Sequence, residues 1–218
     1  MSEQTADAPL DIVFLVYEGL TPLDLAGPFD VFGRLPGAKI RMVGPTQGLQ
    51  RTTSGTLALQ ADSSIDEVTS ADILIIPGGP GSDALALNSQ VTDWVCAMDK
   101  TTRFTVSVCT GAQILAVAGL LEGRKATTHW RAMEMIAQYG ATPVTARVVE
   151  DGKIITSAGV SAGIDMALTL AARIGGEEVA RAIQLLLEYA PEPPFDSGRI
   201  EDASPALLDL ARNGLPKP

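Results

Sequence analysis

The chain has 218 residues, 46% hydrophobic and 19% charged, with a formal net charge of −10; that balance suits a compact globule with a sizeable core, not a disordered chain. The acidity argues against nucleic acid and anionic membranes as partners, because phosphate binding rests on clustered Lys and Arg, and no apolar run approaches the ~18 residues of a membrane span. Residues 1–9 have neither a basic nor an apolar stretch of the kind a signal peptide needs, and the two cysteines, Cys96 and Cys109, complete no usual zinc spacing with the lone His129, so a cytoplasmic protein with reduced thiols and no metal is expected.

A flexible N-terminus over residues 1–9 is expected to lead into a buried first strand at Asp11–Tyr17, a short apolar run. Residues 21–35 mix Pro22, Asp24 and Pro28 with helical spacing, so a loop enters a helix there. Residues 40–43 and 57–61 read as short strands. Ile73–Pro77 is a strongly apolar strand that ends at Gly78-Gly79-Pro80-Gly81. A helix over 92–100 precedes a β-branched run from Phe104 that stops at Cys109, and a helical stretch over 112–118 follows. Asp151-Gly152 lies between alternating apolar residues over 148–157, a hairpin signal. Amphipathic helices are expected at 163–174 and 177–187. Pro191, Pro193 and Pro194 then break the chain before a closing segment at 205–212, and 195–218 reads as a C-terminal extension of a single domain. Apolar strands alternating with helices indicate an α/β fold whose mostly parallel sheet is covered on both faces.

In such sheets, sites lie at the carboxyl ends of the strands. Cys109, Gly78-Gly79 and the loop after Tyr17 all fall there. Strand, tight turn and helix around Cys109 make a nucleophile elbow, and the adjacent helix N-terminus predicts a stabilised thiolate. The alternative, a small buried hydrophobe, fits Cys96 better, because Cys96 is set among Trp94, Val95 and Met98. The N–H groups of Gly79 and Thr110 are candidates to stabilise developing charge; otherwise the glycines simply make a tight turn. Asp24 is either a first-turn helix carboxylate or a carboxyl held against the sulfur with its pKa raised. His129 is a candidate pocket residue or a hydrogen-bonded structural one, and Ser161 opens the following helix or touches substrate.

The segments Ile-Pro-Gly-Gly-Pro-Gly, Ser-Val-Cys-Thr-Gly-Ala, Ala-Thr-Thr-His-Trp and Ser-Ala-Gly-Val-Ser-Ala-Gly-Ile-Asp together resemble the ThiJ/PfpI superfamily of glutamine-amidotransferase-like proteins, over about residues 10–190. Leu-Asp-Leu-Ala-Gly-Pro-Phe-Asp-Val and Leu-Glu-Tyr-Ala-Pro-Glu-Pro-Pro-Phe look most like its isocyanide hydratases. The resemblance implies a flavodoxin-like three-layer sandwich, a homodimer, and no metal or organic cofactor. PfpI-type proteases place His directly after the nucleophile, where this chain has Thr110. Deglycase and glyoxalase-like members carry Glu where Asp24 stands. AraC-type regulators share the cysteine region but need a basic helix-turn-helix domain, and this chain ends acidic. The implied chemistry is hydration of a small-molecule isocyanide to an N-substituted formamide, with Cys109 as nucleophile, Asp24 as proton donor and acceptor, Gly79 and Thr110 orienting, and Val160 among the pocket walls. A glyoxalase- or deglycase-like enzyme using Cys109, and a redox sensor built on an accessible low-pKa Cys109, are the alternatives.

Overall fold

In the chain order of a computed structural model that describes residues 9–214, Leu10–Leu15 forms β1, Pro22–Phe32 α1, Ala38–Gly44 β2, Gly48–Arg51 β3, Ala58–Ala61 β4, Ser63–Ser64 β5 and Ile73–Ile76 β6. Ser82–Ala86 (α2) and Ser89–Asp99 (α3) precede Phe104–Val108 (β7) and Gly111–Val117 (α4). Lys125–Ala126 (β8), Met133–Gln138 (α5), Thr142–Pro143 (β9), Val148–Asp151 (β10) and Ile154–Ser157 (β11) lead to Ala162–Gly175 (α6), Glu177–Leu186 (α7) and Pro205–Asn213 (α8). The expected N-terminal segment lies outside the described residues but for Pro9.

The main sheet runs β10-β11-β7-β6-β1-β2-β5, and only β10 is antiparallel to its neighbour. Its five longer parallel strands, β2-β1-β6-β7-β11, follow the 2-1-3-4-5 order of flavodoxin-like folds, which places the switch point between β1 and β6. β1, β6 and β7 are interior strands, and their side chains are nearly all buried, consistent with continuous apolar runs. Both faces are covered. Val108 packs toward Gly163 of α6 and Pro28 of α1, whereas Thr105, an odd number of residues away and therefore on the other face, bonds Asp99 at the end of α3. The result is the three-layer α/β sandwich expected from the sequence.

Register carries this architecture to the site. β6 pairs Ile76 with Ser107, and β1 pairs Phe14 with Ile75. Two more steps from the first pair and three from the second bring Cys109, Gly78 and Tyr17 to one level at the carboxyl edge. The expected strand at 57–61 exists but belongs to a separate antiparallel hairpin with β3, and the short helices α2 and α5 were not expected. The hairpin at 148–157 forms β10 and β11, with Gly152 at positive φ in its turn. No helix among the described residues is long and apolar enough to cross a membrane.

The chain divides into two compact units, residues 1–187 and 188–218. The first holds the whole sheet. The second begins earlier than the extension expected from residue 195, and its helix α8 is N-capped by Ser204, whose hydroxyl accepts from the Leu207 N–H at 3.3 Å.

Candidate active site

β7 ends at Val108, and Cys109 takes φ 55° before α4 begins at Gly111. A non-glycine residue in this region is uncommon and is held by its surroundings. Here the holding is visible. The Cys109 N–H is shared between the Ser157 and Ala158 carbonyls at 3.1 Å each, and the Cys109 carbonyl accepts from the Thr128 hydroxyl at 2.7 Å. The elbow is therefore pinned from β11 on one side and from the 127–130 segment on the other. The side chain is 5% exposed.

Asp24 reaches the sulfur from α1 and is fully buried. Pro22 opens that helix, with Asp24 in the first turn. Oδ2 accepts from the Gly78 N–H at 2.9 Å, and the carboxyl also meets the Cys109 side chain. Gly78 must be glycine for this to hold. A Cβ there would stand 2.5 Å from the Thr110 nitrogen and 2.9 Å from Asp24 Oδ2.

Burial pushes the Asp24 carboxyl up to about 6, against the Gly78 N–H and its contact with Cys109, which favour the charged form. Burial first, and then the neighbouring Asp24 charge, push the Cys109 thiol up to about 12, although the N–H groups of Val160 and Thr110 aim at the sulfur. This corrects the expectation of a stabilised resting thiolate: desolvation and a facing carboxylate outweigh one short helix terminus. The two groups titrate as a coupled pair, which loses its first proton at about 6 and shares the second between carboxyl and sulfur above that. The redox-sensor alternative rested on a lowered thiol pKa, and burial pushes the Cys109 thiol in the opposite direction.

Other expectations are corrected in detail. The Gly79 N–H, with φ +136°, does not face the sulfur; it donates to Thr110 Oγ1 at 2.8 Å. Val160, expected as an apolar wall, also supplies an N–H to the sulfur, from a backbone at φ 30°. Thr110 does supply its N–H as expected. Ser161 is exposed at the start of α6, where its hydroxyl accepts from Arg147 at 3.4 Å. His129 is half-buried; its Nδ1 accepts from the Arg131 N–H at 3.3 Å, its ring lies 5.4 Å from that of Trp130, and burial lowers its pKa. No hydrogen bond joins His129 to Cys109 among the described residues. Its carbon edge instead fills the space where Gly159 lacks a Cβ, 2.8 Å from that position.

Three contributors were not singled out from the sequence. Tyr17 is buried and donates its hydroxyl to the Pro77 carbonyl at 2.7 Å, which ties the β1 and β6 loops together. Burial, and then the charges of Asp24 and Cys109, hold it firmly in the phenol form. Ser82 and Gln113 form a polar group behind Thr110. Strand register is the signal that finds Tyr17; none in the sequence finds the other two.

The DJ-1/PfpI family pattern matches residues 11–173. Isonitrile hydratase of Pseudomonas putida is 42% identical over 204 residues, covering 93% of this chain and 89% of that protein. A crystal structure of a ThiJ/PfpI family protein from Pseudomonas syringae superposes with a TM-score of 0.88 at 35% identity, covering 97% of this chain and 90% of that one. The HTH-type transcriptional regulator CdhR of Pseudomonas aeruginosa is 33% identical over 58% of this chain, which is 38% of the regulator.

Proposed function

The chain belongs to the DJ-1/PfpI family, and from that premise we propose that it is an isocyanide hydratase, converting R–N≡C and water to the formamide R–NH–CHO. The observation that carries the reading is the buried Asp24–Cys109 pair, a carboxyl and a thiol in contact with each other, each with its pKa raised by burial. An isocyanide makes an unusual demand: its terminal carbon must gain both a nucleophile and a proton. A thiol and a carboxyl in contact deliver both to one atom. The 42% identity to an isonitrile hydratase over nearly the whole chain supports the same substrate class.

The sequence of bonds follows. Asp24 takes the thiol proton as Cys109 Sγ bonds the terminal carbon, and then passes it to that carbon, leaving the thioimidate R–N=CH–S on Cys109. The carboxylate next removes a proton from water as the oxygen bonds the carbon, and that proton goes to nitrogen. The C–S bond breaks, the hydroxyl proton returns by way of Asp24 to Sγ, and R–NH–CHO departs. Charge on sulfur, at attack and at departure, is met by the Thr110 and Val160 N–H groups. Water enters the chemistry only in the second half, so burial of the pair protects the first.

Homodimerisation and a cytoplasmic setting go with this reading; the acidic charge and the two unpaired thiols, Cys96 and Cys109, support the latter. The test is formamide production from a simple alkyl isocyanide, with methylglyoxal offered in parallel. Cys109-dependent formamide is the expected result. Lactate from methylglyoxal without formamide would move the protein to the glyoxalase class.

A further inference from the structure

Thr110 contributes more than an N–H. Its hydroxyl lies 2.8 Å from the Gly79 nitrogen and 3.0 Å from Ser82 Oγ, and Ser82 Oγ lies 3.2 Å from Gln113 Oε1. Ser82 is fully buried and Gln113 nearly so. The Ser82 hydroxyl turns its one hydrogen toward two acceptors, Thr110 Oγ1 and Gln113 Oε1, while Thr110 Oγ1 accepts from the Gly79 N–H and donates its own hydrogen to the Gly79 carbonyl at 3.2 Å.

We infer that Ser82 and Gln113 are positioning residues for the reaction proposed above, acting through Thr110 to hold the Gly78–Gly79 peptide so that the Gly78 N–H stays on the Asp24 carboxylate. Among the described residues neither side chain hydrogen-bonds Asp24 or Cys109; both act at a distance of two or three hydrogen bonds. Gln113 projects from α4, Ser82 from the first residue of α2, and Gly78 and Gly79 follow β6. The chain thus ties the helix after the elbow to the loop that sets the carboxylate.

The consequence is a specific titration. The Gly78 N–H favours charged Asp24. If Ser82 or Gln113 is removed, the peptide loosens, that donor is lost for part of the time, and the carboxyl takes its proton at higher pH. The assay is the pH dependence of Cys109 alkylation by iodoacetamide, run beside formamide production. The wild-type acid limb is expected near 6. Ser82→Ala and Gln113→Met should each move it upward by about half to one pH unit, and Ser82→Thr, which keeps the hydroxyl, should move it less than Ser82→Ala. Gln113→Met conserves volume and keeps the stem packed. An unmoved limb in a folded variant overturns the inference, even if turnover falls, because a structural role alone lowers activity without retuning Asp24. Failure of both variants to fold assigns the chain to stability and overturns it too. Alkylation needs no isocyanide. A moved limb in a protein that makes no formamide therefore sinks the hydratase reading and leaves this one standing, and an unmoved limb with full turnover does the reverse.

Discussion

Strands β7 and β11 carry a polar cluster at each end, half-buried at the amino end and buried at the carboxyl end, and the two are built on opposite principles. At the amino end, Asp99 receives Thr105 Oγ1 at 2.7 Å and the Lys153 ammonium at 3.1 Å, Thr102 and Thr105 share a hydrogen bond of 2.7 Å, and Lys153 also caps the Asp99 carbonyl. Its charge is paired and its hydroxyls are occupied. At the carboxyl end, Asp24 has one N–H and a thiol that competes with it for a proton, with no cation paired to it among the described residues. A satisfied cluster holds strands and helix together and offers nothing to a ligand. An unsatisfied one costs stability and retains capacity for chemistry.

The sharpest break of this contrast is Cys109→Ala, expected to lower formamide production by about 10³-fold or more with the fold retained by circular dichroism. Asp24→Asn follows, with a loss on the order of 10²–10⁴-fold and disappearance of the acid limb near 6. The same variant should be more stable than wild type at pH 7. The folded pKa of Asp24, about 6, lies above its ordinary 3.8, so the native state binds the proton more tightly than the unfolded chain does. The ionised form therefore destabilises the protein above pH 6, and the penalty fades as pH falls from 6 toward 3.8. Urea titrations should show a gain of roughly 1–3 kcal/mol for Asp24→Asn at pH 7 that shrinks toward pH 4. At the other cluster, Lys153→Met should cost about 1–3 kcal/mol by stranding the Asp99 carboxylate while kcat/KM stays at the wild-type value; a tenfold fall in kcat/KM would join the two ends functionally. The smallest effect is expected at Ser161→Ala, within about 0.5 kcal/mol and with unchanged KM. A raised KM there would return the Ser161 hydroxyl to the substrate pocket.

The parallel sheet was legible because β1, β6 and β7 are buried on both faces and so read as unbroken apolar runs. The β3–β4 hairpin was not, since Gln50, Arg51 and Gln60 break any apolar pattern and the pairing is local to a surface loop. Cys109 stood out because a strand stopping at a small-residue turn has a local signature. Asp24 gained its place through the resemblance more than through its own neighbours. The direction of the N–H groups was illegible: whether Gly79 or Val160 faces the sulfur depends on single φ angles, 136° and 30°. The proton balance was illegible for a different reason. A helix terminus can be read from sequence, but the desolvation that overrides it comes from contacts among α1, β6, β7 and the start of α6.

The ends of the main sheet carry a consequence for assembly. On one side β5 is only two residues long; on the other, Asp151 of β10 is engaged by the Lys125 N–H at 2.9 Å and by Arg124 at 3.3 Å. Among the described residues, β5 pairs only Val43 and Gly44 of the seven-residue β2, so the remainder of that strand's outer side has no strand partner and is the stretch of this border that an added strand could meet.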